Sequence, residues 1–146
     1  MSRRPEPPSG QPPPTEARLG DGDPLDLAAL AREICRRYRA AYPDEAERYG
    51  DAGVAWCVHD NQHLLNWAAG SVNGYVDFER EVAWLARVLE ARDFPLDRLA
   101  RNLDMGADVV REQVGGERGE RLGEVLSGGA AFVRSHETFL DVPQKG

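Results

Sequence analysis

Residues 56–67 read WCVHDNQHLLNW, and the period taken for this stretch decides the fold. On a 3.6-residue repeat Trp56, Asp60, His63 and Trp67 fall at i, i+4, i+7 and i+11, so one helix face carries two indoles with a carboxylate and an imidazole between them. The stretch is the centre of a helix running from about Asp51 to the breaker pair Asn73 and Gly74.

Working outward, every neighbouring segment repeats the helical pattern. Upstream, Leu27, Leu30, Ile34, Tyr38 and Ala41 recur at threes and fours, with Asp26 as N-cap and Pro43 as the stop. PDEAERYG (43–50) forms a short helical turn ended by Gly50. Downstream, Asp77 caps a helix whose stripe is Phe78, Val82, Leu85 and Leu89, widened by Trp84 and Val88, and this helix is expected to be largely buried. After Pro95, Leu96, Leu99, Leu103, Ala107, Val110 and Val114 keep an almost heptad spacing, suited to monomer core or to a dimer seam, until Gly115 and Gly116. A last segment carries Leu122, Val125, Leu126, Phe132 and Val133, and its Gly128 and Gly129 are expected to break or bend it. No strand-type alternation and no repeat of 20–50 residues is visible. The expected architecture is all-α: one domain, a bundle of five or six helices over residues 25–140.

The ends differ in composition. Residues 1–24 hold seven of the ten prolines and almost nothing apolar, so they read as a disordered Pro-rich tail, and 141–146 as a short C-terminal tail. The net charge of -7 and pI near 5.0 argue against nucleic acid as partner, because phosphate affinity needs clustered Lys and Arg. Arg36, Arg37 and Arg39 look like the solvated side of a helix. No apolar run approaches the roughly 18 residues of a membrane span, so a soluble chain with no membrane partner is expected. Cys35 and Cys57 lie in helical patterns outside any CxxC, which fits buried thiols in a reducing compartment; with no signal peptide the expected location is the cytoplasm.

Catalytic chemistry finds little support in the residues. Cys57 precedes His59 too closely for a same-face dyad, and Ser71, Ser127 and Ser135 stand outside any GxSxG elbow. VGGERGERLG (114–123) lacks the preceding strand and GK[ST] end of a phosphate loop. No enzyme activity is expected.

The opening stretch keeps three readings. Asp60 and His63 form a satisfied core pair, the ring donating to the carboxylate or to a facing helix, since an unpartnered buried polar group costs on the order of 1–3 kcal/mol. Alternatively, Trp56, Trp67, Asp60 and His63 face Trp84 and Phe78 across an apolar cleft able to take a small molecule, or haem with His63 as axial ligand. Thirdly, His59 and His63 at i, i+4 share a divalent metal, with Asp60 or His136 completing the set. Against the metal stands geometry: His59 lies about 60° around the helix from Trp56 and His63 only about 20°. No cofactor is expected, haem and a divalent metal being the alternatives.

Over Glu47–Leu103 the chain resembles a helical module of bacterial regulatory proteins, one found ahead of cobalamin-binding regions. The resemblance is carried by Glu47, Arg48, Tyr49 and Gly50, then Asp60 with His63 and Leu64, then Trp84 and Leu85. The three-residue step from Asp60 to His63, and Asn66 with Trp67, depart from that pattern. No cobalamin-binding DxHxxG occurs, so cobalamin is not carried over. The resemblance implies a helical sensor or interaction module, with a globin-like arrangement as one form. The expected function is a non-enzymatic cytoplasmic regulatory module acting on a protein partner or on itself, with Asp60 and His63 as the sensing site.

Overall fold

Asp26 and Asp77 do what short carboxylates do at helix starts. Their Oδ1 atoms accept from the backbone N–H groups of Ala29 at 3.0 Å and Arg80 at 3.2 Å, satisfying donors with no partner inside the helix. The computed structural model describes residues 12–140, and in it these caps open two of five α-helices: α1 (Leu27–Ala41), α2 (Asp44–Val72), α3 (Phe78–Ala91), α4 (Leu96–Gln113) and α5 (Gly116–Arg134). The domain is mostly helical, as the periodicity predicts. The expected short turn at 43–50 runs into the long helix, and the join is the break at Gly50, whose φ of 59° and ψ of -149° leave the helical region.

Two strands of two residues each, β1 (Glu16–Ala17) and β2 (Leu25–Asp26), pair antiparallel ahead of α1, where the sequence showed no strand pattern. They belong to a segment whose composition reads as tail, yet residues 12–24 lie along the body. Leu19 and Leu25 are buried, Gln62 Nε2 donates to the Pro14 carbonyl at 2.9 Å, and Asn73 donates to the Arg18 carbonyl at 2.8 Å while accepting from Gly20 N at 2.9 Å. A few apolar side chains and α2 amides aimed at exposed carbonyls are enough to hold it. Residues 1–11 and 141–146, the rest of the expected tails, lie outside the described residues.

The core is built where the stripes meet. Leu30, Ile34, Leu85, Leu99, Leu103, Val110, Leu122 and Leu126 are all buried in one cluster. The near-heptad stripe of α4 is thereby used within the monomer. α4 and α5 form the most extensive helix pair, with α1 crossing both α2 and α4. The α5 glycines do not break it; the helix is continuous from Gly116 to Arg134. A Cβ on Gly119 would stand 2.7 Å from the Val110 carbonyl oxygen, and one on Gly129 2.5 Å from the Phe78 ring, so these glycines set the close approach of neighbouring helices. Beyond α5, Phe139 is buried, with its N–H donating to Glu90 at 2.7 Å and Thr138 Oγ1 donating to the same carboxylate at 2.6 Å. No described helix is long and apolar enough to cross a membrane.

The cysteines correct the expectation of free thiols. The α1–α2 crossing brings the Cα atoms of Cys35 and Cys57 to 6.0 Å, inside the range a disulfide needs, and the two are bonded. Sequence spacing could not reveal a pair made by tertiary packing, and with the two sulfurs bonded, free thiols no longer point to a reducing, cytoplasmic location.

Candidate functional site

The helix face read from the sequence divides into two places. Trp56 and Asp60 line a cavity of ≈ 100 Å³ between α1, α2, α3 and the start of α4. His63 and Trp67 do not line it: His63 is buried with its ring 5.8 Å from Trp67, and Trp67 meets Trp84 edge-on at 6.5 Å. Trp84 is itself 36% exposed, so α3 is less buried than its apolar pattern implies. The reason is axial as well as angular. Trp56 and Trp67 share a helix face but are separated by eleven residues, a rise of about 16 Å, more than one small cavity spans.

Within the cavity, Tyr38, Glu45, Asn61 and Asn102 are already paired. Glu45 accepts from the Tyr38 hydroxyl and from Arg98 Nη1 at 2.8 Å, while Arg98 also bridges to Asp44 at 3.0 Å. Burial first, and the Glu45 hydrogen bond second, push the Tyr38 hydroxyl well above the usual phenol range. Asn61 and Asn102 exchange amide hydrogen bonds at 3.0 and 2.8 Å, and Asn61 Nδ2 also donates to the Cys57 carbonyl at 3.0 Å.

Two groups are different. Asp60 Oδ1 and Trp56 Nε1 are shut off from solvent and have no hydrogen-bond partner in the protein. Burial raises the Asp60 carboxyl to about 7, and the positive charge of Arg92 pulls in the other direction. Arg92 lies over the Trp56 indole, its guanidinium carbon 4.8 Å from the ring centroid, a cation–π contact on an exposed side chain. The remaining wall is apolar, with Leu64, Leu85, Leu89, Phe94 and Leu99. Because Asp60 Oδ1 has no donor, the expected satisfied pair with His63 is not formed through that atom.

The alternative metal set is not assembled. His136 sits beyond α5 between Phe132 and Phe139, with ring centroids 4.8 and 4.5 Å away and Nδ1 3.0 Å from the Phe132 carbonyl. Among the described residues no three His, Cys, Asp or Glu side chains converge to hold a metal ion. The cavity residues that sequence reasoning missed are Tyr38, Glu45, Arg92, Asn61 and Asn102. The asparagines carried a signal: a mid-helix Asn disfavours the helix and stays buried only when paired.

No known protein family, curated protein or solved structure matches this chain.

Proposed function

We propose that this protein is a non-enzymatic helical sensor that binds a small molecule in the Trp56–Asp60 cavity and reports its presence through the outer helical surface to a protein partner or a second copy. One observation carries the reading: a buried donor, Trp56 Nε1, and a buried acceptor, Asp60 Oδ1, stand unpaired on two residues that line a largely apolar cavity. Leaving both without partners costs on the order of 1–3 kcal/mol each, a cost that a fitting ligand removes. The position supports the regulatory part. Tyr38 of α1, Leu85 of α3 and Asn102 of α4 line the cavity with α2, so an occupant contacts four of the five helices. A ligand that fits one arrangement of those helices better than another shifts the population between them.

The test is a screen of single-ring fragments by 1H–15N NMR, read at the three tryptophan indole N–H resonances and assigned with Trp56→Phe, Trp67→Phe and Trp84→Phe variants. Binding in the cavity moves the Trp56 resonance first. Fragments that move Trp67 and Trp84 while leaving Trp56 still would place the site in the His63 aromatic group instead.

A further inference from the structure

We propose that the ligand of this cavity is a neutral, hydroxyl-bearing molecule with a compact apolar body, its oxygen accepting from Trp56 Nε1 and its O–H donating to Asp60 Oδ1; this rests on the cavity being the ligand site.

The two unpaired groups are of opposite sense. An indole N–H only donates, and an ionised carboxylate only accepts. They lie one turn apart on the same helix, where side chains four residues apart are neighbours with Cβ atoms about 5–6 Å apart, so a single head group can address both. A hydroxyl is the smallest group that accepts and donates at one atom. An ammonium carries donors alone and would leave the Trp56 N–H unmet, and the Arg92 charge acting on Asp60 disfavours a second cation there. A carboxylate would suit Trp56 and Arg92 but stand directly against the Asp60 carboxylate.

Two further polar side chains, Tyr49 and Arg92, also line the cavity. Its hydrogen-bonded groups are engaged with one another, Tyr38 and Arg98 with Glu45 and Asn61 with Asn102. The body then meets Leu64, Leu85, Leu89, Phe94 and Leu99. A volume of ≈ 100 Å³ limits it. Benzene occupies an engineered apolar cavity of roughly 150 Å³, so the enclosed part of the body here is smaller than a benzene ring, and a one-ring ligand extends through the cavity's open side.

The experiment compares four probes of nearly one shape, benzyl alcohol, benzylamine, benzoate and toluene. The full chain is titrated at pH 8, with the Trp56 indole resonance as reporter. The expected result is that benzyl alcohol binds about tenfold more tightly than toluene, as one or two regained buried hydrogen bonds imply, with benzylamine and benzoate weaker than the alcohol. In Asp60→Leu the advantage over toluene shrinks to that of the single Trp56 hydrogen bond, and in Asp60→Asn, which keeps the acceptor, it returns. Toluene binding as tightly as the alcohol, or benzylamine binding more tightly, overturns the hydroxyl assignment while leaving the cavity as the site. A Trp56 resonance that none of the four probes moves overturns the cavity reading itself, and this inference with it.

Discussion

Asn61 and Asn102 donate to each other, Nδ2 to Oδ1 in both directions, at 3.0 and 2.8 Å across the contact of α2 with α4. Both are buried, so each amide depends on the other. Removing one side leaves the other polar in a closed space, whereas removing both leaves no orphan. Asn102→Ala is therefore expected to destabilise by about 1–3 kcal/mol, and the Asn61→Leu/Asn102→Ala double variant by clearly less than the sum of the single changes. Urea unfolding of the four members of the cycle measures the coupling. Strict additivity would show that the pair does not act as a unit.

The Cys35–Cys57 bond closes a sequence separation of 22 residues beside this pair, with Asn61 Nδ2 3.5 Å from both sulfurs. A crosslink of that loop length removes unfolded-state entropy worth about 3 kcal/mol. Replacing both cysteines by serine, or reducing the parent chain, should lower Tm by roughly 10 °C. Thermal unfolding followed by circular dichroism, with and without reductant, decides this. An unchanged Tm on verified reduction would assign the α1–α2 contact to packing alone.

How much of this was legible in the sequence depends on whether the feature is local. The caps Asp26 and Asp77, the break at Gly50 and the buried stripe of α4 follow from residues within a turn or two of one another, and each was read correctly. The disulfide and the Asn61–Asn102 pair span 22 and 41 residues and exist only once the helices cross. The site was half legible. Periodicity placed Trp56 and Asp60 on one face, but a helical wheel discards height along the axis, and so it joined them to Trp67 and Trp84, which pack elsewhere. Composition likewise misjudged residues 12–24. A proline-rich stretch has little to bury, yet Leu19 and the Pro14 carbonyl find partners prepared by α2 and the core.

The α5 glycines separate two roles that look alike in sequence. Gly119 faces α4, where an added Cβ meets the Val110 carbonyl oxygen at 2.7 Å, a backbone atom that cannot turn aside. Gly128 faces open space. Gly119→Ala should cost about 1–3 kcal/mol by forcing the helices apart, whereas Gly128→Ala should gain about 0.5–1 kcal/mol from reduced unfolded-state freedom and better helix propensity. Chemical denaturation of the two variants tests the assignment, and equal effects would contradict it.

Asp60 gives the protein a pH dependence of defined sign. Its carboxyl titrates at about 7 in the folded protein because burial disfavours the charge. In the unfolded chain the same group titrates near 4. Between those values the unfolded state gains by releasing a proton that the folded state retains, so folding loses stability as pH rises. The loss is absent below pH about 4, grows through the window, and levels off above about 7, where it amounts to about 4 kcal/mol at the limit. Asp60→Asn removes the titration and should be the more stable chain at pH 8, by a margin that narrows steadily as pH falls toward 4.5. Urea midpoints for both proteins at pH 8, 6 and 4.5 give the comparison. Parallel curves across that range would mean that the carboxyl is ionised and solvated in the folded state, and the buried acceptor on which ligand binding is argued would be lost with it.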